Sequence, residues 1–251
     1  MGKVIAVVNQ KGGVGKTTTA VNLTAGLHDL GLKVLLCDFD PQANATSGLG
    51  LEKRKLKHSV YEVIIDEVPT KDAIVPTKFG DVLPASADLA GAGVELLSMA
   101  NPNFRLKEAL SQVKNQYDLI LIDCPPSLEM LTLNALAAAD GILIPVQCEY
   151  FAMEGLSDLM TTMRMVKKRI NPNLEIFSVI LTMFDGRTNF STQVAQEVRR
   201  HFPGKVCATV IPQNVRLAEA PSHGVPVAAY DKNSRGAVAY RAVAEELKKK
   251  L

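Results

Sequence analysis

Between Asn9 and Ala20 the chain reads Gln10-Lys11-Gly12-Gly13-Val14-Gly15-Lys16-Thr17-Thr18-Thr19. Glycines let a backbone turn its N–H groups inward with no Cβ in the way, a lysine adds a point charge, and a threonine hydroxyl is a hard oxygen ligand. Together these suit a polyphosphate and its magnesium ion, with Lys16 bridging the β- and γ-phosphates and Thr17 on the metal. The run departs from G-x-x-x-x-G-K-[ST] at its first glycine, where Gln10 stands, and Lys11 follows as a second cation. Two ammonium groups on one small loop repel unless both face phosphate or point apart, so the surplus charge implies a use. Two acids extend the set. Asp38 and Asp123 each close an apolar run, Val34-Leu35-Leu36-Cys37 and Leu119-Ile120-Leu121-Ile122. Both are expected at one sheet edge, converging on magnesium and the γ-phosphate, with Asp123 acting through a water. The residue after Asp123 is Cys124, which cannot serve as a base of glutamate's kind. Asp40, two residues beyond Asp38, is the candidate.

Positioning such groups takes strands that end together and a helix that starts at the loop. Short apolar runs recur at Val4 to Val8, Val34 to Cys37, Leu119 to Ile122, Ile142 to Val146, Ile176 to Leu181 and Val206 to Ile211. They have the composition of strands buried on both faces. Segments with helical spacing alternate with them: Thr17 to Leu30, Phe104 to Asn115, Leu128 to Ala139, Phe151 to Ile170 and Ser191 to Phe202. Gly31 follows the first helix, Pro172 follows the fourth, and Ser191 is placed to cap the last. No linker or repeat divides the chain. The expectation is α/β: one doubly wound domain over residues 1–251, a mostly parallel sheet with helices on both faces, of P-loop NTPase type, with ligands at the strands' carboxyl ends.

Composition narrows the classes. A net charge of +2 is far below that of a dedicated nucleic-acid module, so any nucleic-acid contact must be local. Cys37, Cys124, Cys148 and Cys207 sit in or beside apolar runs with no C-x-x-C spacing, which reads as reduced core thiols in a cytoplasmic protein. Residues 1–9 make no signal peptide, and no stretch approaches the roughly 18 to 20 apolar residues of a membrane span.

The loop Lys11 to Thr18 resembles that of the deviant Walker A ATPases, and within them the chain is similar to the small chromosomal ParA proteins of the Soj type. The stretches Asp38-Phe39-Asp40-Pro41-Gln42, Ile122-Asp123-Cys124-Pro125-Pro126-Ser127, Pro145-Val146-Gln147-Cys148-Glu149-Tyr150, Ile211-Pro212-Gln213-Asn214-Val215-Arg216 and Glu219-Ala220-Pro221-Ser222-His223-Gly224 carry the same resemblance. It implies that Lys11 reaches across a nucleotide-sandwich homodimer to the partner's ATP, and that Asp40 positions or activates the attacking water in slow hydrolysis. It further implies that Pro212 and Asn214 contact the adenine and that Pro125-Pro126 begins a γ-phosphate-sensing loop. The nucleotide site is then Lys11, Gly12, Gly13, Val14, Gly15, Lys16, Thr17, Thr18, Pro212 and Asn214, with magnesium at Thr17, Asp38 and Asp123. Arg187 and Arg216 match residues that bind duplex DNA without sequence preference in the dimer. A ParB-like stimulating protein, a segregation role and a nucleoid-associated cytoplasmic location follow from resemblance alone.

Other readings predict other features. A MinD-like membrane switch ends in an amphipathic helix that inserts into lipid, whereas the tail from Arg235 to Leu251 offers only Val238, Val243, Leu247, Leu251 and Tyr240 and is expected to pack on the domain. An iron–sulfur carrier needs bridging cysteines, and a small-molecule kinase an acceptor site and lid; neither is evident. Larger plasmid partition proteins carry an amino-terminal DNA-reading domain, while this chain enters its first strand at about residue 3. The clusters Lys53-Arg54-Lys55 with Lys57, Lys167-Lys168-Arg169 and Lys248-Lys249-Lys250 are expected to be solvated faces.

Overall fold

The computed structural model describes residues 2–127, 129–149 and 152–251. Leu128 and Phe151, each expected to open a helix, and Tyr150 of the Pro145 motif lie outside the described residues.

The seven strands are β1 (Lys3–Val7), β2 (Val34–Asp38), β3 (Val75–Thr77), β4 (Gly80–Leu83), β5 (Leu119–Asp123), β6 (Gly141–Gln147) and β7 (Glu175–Thr182). They form one sheet in the order β3-β4-β2-β5-β1-β6-β7. All neighbours are parallel except β3, which pairs antiparallel to β4 at the edge and carries Pro76, tolerated where the N–H faces no ladder. Register brings the strand ends level: Val7 and Asp38 both lie beside Asp123.

Alternation along each strand explains why these runs are apolar throughout. Val4, Ala6, Leu35, Cys37, Ile120 and Ile122 enter one core under the helices Leu89–Leu97, Arg105–Ser111, Met130–Ala138, Ala152–Arg169 and Asn189–His201. Ile5, Val7, Val34, Leu36, Leu119 and Leu121 enter the other, under Lys16–Asp29 and Arg235–Lys248. By the same period of two, Asp38 and Asp123 fall on the face covered by Lys16–Asp29. The strand period thus aims both carboxylates at the helix that the phosphate loop opens.

Two local expectations are corrected. Val206 to Ile211 is not a strand: only isolated bridges join Val206 to Val179 and Pro212 to Phe184. Between them the amides of Ala208 and Thr209 turn to the Glu246 carboxylate, at 2.8 Å each, instead of continuing the ladder. Thr188, not Ser191, caps the helix Asn189–His201; its hydroxyl accepts from Ser191 N, while the Ser191 hydroxyl reaches Cys148 O. The tail meets expectation as a helix, Arg235–Lys248, that buries Tyr240, Val243 and Leu247 against the domain and leaves Val238 outside.

Candidate nucleotide site

The loop between β1 and the helix Lys16–Asp29 is pinned at both limbs. Asn9 donates Nδ2 to Pro145 O on β6 (2.8 Å) and accepts Lys11 N on Oδ1 (3.0 Å). The Thr182 hydroxyl of β7 donates to Val14 O (2.8 Å). Gly13 and Gly15 hold φ of 75° and 90°, the left-handed region that a Cβ penalises. Space beside Gly12 and Gly13 is open, with no atom within 4 Å of an added Cβ. Val14 is buried, so only its backbone is offered to a ligand. The helix that follows has no side-chain cap, leaving its first amides unsatisfied at the positive end of the helix dipole.

Lys16 is buried and its ammonium donates to Lys11 O at 3.3 Å. Burial pulls its pKa below the ordinary lysine value, opposed chiefly by the charge of Asp123 and more weakly by Asp40. The Lys11 ammonium has a different partner, Glu149 Oε2 at 3.3 Å, so the two cations of the loop are separately engaged.

Asp123 is wholly buried, and among the described residues neither of its carboxylate oxygens has a hydrogen-bond partner. The Thr17 hydroxyl faces it and favours its charge, yet closes no hydrogen bond of normal geometry. Burial and then repulsion from Asp38 push the Asp123 pKa well up, with Lys16 pulling the other way. An orphaned buried carboxylate costs free energy on the order of several kcal/mol unless a cation or proton answers it. Magnesium fits this donor set of Thr17 and Asp123, because that ion takes one or two protein oxygens and completes its shell with phosphate and water. Accordingly, among the described residues no group of three or more His, Cys, Asp or Glu side chains forms a protein cage for a metal.

Asp38 does not present the free carboxylate expected of a metal ligand. Its Oδ2 accepts from both Thr46 N and Thr46 Oγ1 at 2.7 Å, and its Oδ1 from Asp40 N at 3.3 Å. Thr46 Oγ1 accepts in turn from Ala85 N at 3.0 Å. Asp38 thereby fastens the short helix Asn44–Gly48 to the sheet edge. Thr46 carried no sequence signal, since its partner is set by tertiary packing. Asp40 lies near Lys16 and Asp123, buried to 9% exposure, with Oδ1 accepting Gln42 N at 2.9 Å.

A cavity of about 770 Å³ opens beside the loop, lined by Gly15, Thr18, Met183, Phe184, Pro212 and Asn214 among others. That volume lies in the range of cofactor sites. Asn214 caps the helix Val215–Glu219 through Arg216 N, which holds its side chain at the cavity wall. Arg187 lines this cavity too, and both arginines assigned from the sequence are ion-paired, Arg187 with Asp185 and Arg216 with Glu219.

A family model described as an AAA domain matches residues 2–176. The chain is 55% identical over 249 residues to the sporulation initiation inhibitor protein Soj of Bacillus subtilis, covering 98% of each. It is 49% identical over 252 residues to the chromosome partitioning protein ParA of Myxococcus xanthus, covering all of this chain and 89% of the relative. Among solved structures, the cobyrinic acid a,c-diamide synthase of Mycobacterium smegmatis with bound ADP and magnesium is 39% identical at a TM-score of 0.86, covering 99% of this chain and 95% of that one. With matches of this identity and extent, the chain belongs to the ParA/Soj family of chromosome-partitioning ATPases.

Proposed function

We propose that residues 1–251 act as one unit, an ATP-dependent dimerising switch that binds duplex DNA without sequence preference and hydrolyses ATP slowly until a ParB-like protein stimulates it. The observation that carries the reading is the open glycine cradle with buried Lys16 on one side and the unpartnered Asp123 carboxylate on the other. Loop amides and Lys16 hold the β- and γ-phosphates; Thr17, with Asp123 behind a water, holds magnesium, which neutralises phosphate charge when bound. The base would occupy the cavity of about 770 Å³, whose lining includes Pro212 and Asn214. Asp40 orients the attacking water, and turnover is slow because Cys124 occupies the position where a carboxylate would act directly.

Lys11 supplies the dimer switch. In the single chain it is parked on Glu149, a half-exposed pair whose strength is modest, so a partner's triphosphate can draw it across. Lys11→Ala is expected to bind ATP while losing ATP-dependent dimerisation at least about tenfold, the factor that follows from a charge-assisted contact of roughly 1.5 kcal/mol or more. Sedimentation showing wild-type dimer with ATP would end this assignment.

Two copies double a modest basic surface across a two-fold axis, which makes DNA affinity depend on nucleotide state and on salt. This supports a cytoplasmic, nucleoid-associated location. The lipid-switch alternative is disfavoured by the last helix, which buries Tyr240, Val243 and Leu247 in the domain and leaves Val238 as its exposed large apolar side chain; no helix of the described residues is long and apolar enough to cross a membrane. The test is duplex-DNA affinity with ATP, ADP and no nucleotide across a salt series. ATP-loaded protein should bind most tightly, with log affinity falling by roughly 0.9 per phosphate contact per log unit of salt. Equal affinity in the ATP and ADP forms would sink the partition reading.

A further inference from the structure

The rim of the base cavity carries arginines that the phosphate loop does not use. Arg187, on the turn after β7, is highly exposed, and Asp185 grips its guanidinium with two parallel bonds, Nε to Oδ1 at 2.9 Å and Nη2 to Oδ2 at 2.8 Å. Arg216 donates Nη1 to Glu219 Oε2 at 2.7 Å and brings Nε within 3.5 Å of Asp231. Arg235, the first residue of the last helix, is exposed and lines the same cavity as Asp185 and Arg187. Bonds from Arg187, helped by the more distant charge of Arg235, hold the Asp185 carboxyl down to about 2. Arg187 and Arg235 thus share one cavity with Asp185, and Asp231, in the segment that leads into the last helix, ties Arg216 to that neighbourhood. Two of the other basic clusters are partly employed elsewhere: Lys55 pairs with Glu52, while Lys248 and Lys250 tie the end of the chain to Leu30 O and the Ser178 hydroxyl.

We propose that Asp185, Glu219 and Asp231 are resident counter-anions of a DNA-phosphate surface made by Arg187, Arg216 and Arg235, so that duplex DNA binds by exchanging phosphate for carboxylate. The proposal rests on the DNA-binding reading above and adds to it Arg235 and the competing acids. The chemistry of exchange is direct. A carboxylate lying along a guanidinium fork occupies the same N–H donors that a phosphate uses. Exposed ion pairs contribute little stability, so a phosphate can displace the acid. The displaced carboxylate then stands beside a phosphate and opposes binding. Each copy's affinity is thereby held low, and only the summed contacts of two copies overcome the acids. A chain of net charge +2 can in this way bind DNA in one nucleotide state and release it in the other.

The experiment measures fluorescence anisotropy of a labelled duplex of arbitrary sequence against the full chain at saturating ATP, over a salt series, with nucleotide affinity of every variant determined in parallel. Asp185→Asn keeps an oxygen for the Arg187 backbone N–H, which Asp185 Oδ1 accepts at 3.0 Å, and removes the charge together with the Oδ2 acceptor of Arg187 Nη2. It is expected to tighten DNA binding about two- to fivefold at low salt, the range of an exposed ion pair. The salt slope should also steepen, since the wild-type acids take up cations when displaced. Glu219→Gln should act in the same direction, and Arg235→Ala should weaken binding and lower the slope by roughly 0.9 per copy. If Arg187→Ala weakens binding while Asp185→Asn and Glu219→Gln leave it unchanged or weaker, the acids position the arginines and the exchange proposal is overturned. Unchanged affinity in Arg235→Ala removes that residue from the surface. If Arg187→Ala and Arg216→Ala both keep wild-type ATP-dependent binding, it is the underlying DNA reading at this surface that fails.

Discussion

Asp123→Asn should yield a nucleotide-free protein at least as stable as wild type, by up to about 1–3 kcal/mol, that has lost most of its response to Mg-ATP. In the free chain Asp123 is fully buried, both oxygens are unpartnered, and Asp38 lies directly across the β2–β5 ladder. Burial, and then repulsion from Asp38, penalise the charge of Asp123, so a carboxylate here works against folding. Asparagine fits the same volume and removes the charge. Its cost is functional: a carboxylate acting on magnesium through a water is an outer-shell group, and losing such a group lowers metal affinity or activity about 10- to 100-fold. Thermal unfolding with and without Mg-ATP reads both halves. A variant markedly less stable than wild type without nucleotide would mean that Asp123 is a structural anchor, and an undiminished shift on adding Mg-ATP would remove it from the metal.

The same contrast between local and tertiary information decides what could be read from the sequence. The phosphate loop was legible because its chemistry lies in ten consecutive residues, and the level of Asp38 and Asp123 because each terminates an apolar run whose period of two survives in the sheet. The last helix was legible as a packing element from its sparse apolar spacing, although Val238 turned outward and Tyr240 inward. The hydrogen bonding of Asp38 was not legible, since Thr46 competes for its carboxylate only after the helix Asn44–Gly48 is laid on the sheet edge. Nor was the extent of the cavity beside the loop, whose walls come from near residues 15, 183, 212 and 240. Strands β3 and β4 are too short and too polar at Thr77 and Asp81 to announce themselves. The acids paired with Arg187 and Arg216 could have been found, because Asp185-Gly186-Arg187 and Arg216 with Glu219 stand at turn and helix spacing.

Asp40→Ala should leave ATP binding and dimerisation in place and reduce phosphate release by about a hundredfold or more, the usual effect of losing a general base or the group that orients the nucleophile. Geometry separates Asp40 from its neighbours. Asp38 is engaged on both oxygens by Thr46 and the Asp40 amide, and Asp123, beside Thr17, has the cation-seeking role argued above. Asp40 accepts Gln42 N on one oxygen only, and among the described residues its second oxygen accepts no hydrogen bond. It is therefore the acid near Lys16 with a free lone pair and some access to solvent. Alanine also deletes the Gln42 contact and so tests the turn together with the chemistry. Asp40→Asn divides the two, since its amide oxygen can still accept from Gln42 N but cannot take a proton from water. Both variants inactive, with nucleotide affinity within a few-fold of wild type, would assign Asp40 to the attacking water; an active Asp40→Asn beside an inactive Asp40→Ala would assign it to the shape of the turn. Phosphate release near the wild-type rate in both would leave the water to be oriented by the bound triphosphate and the loop itself.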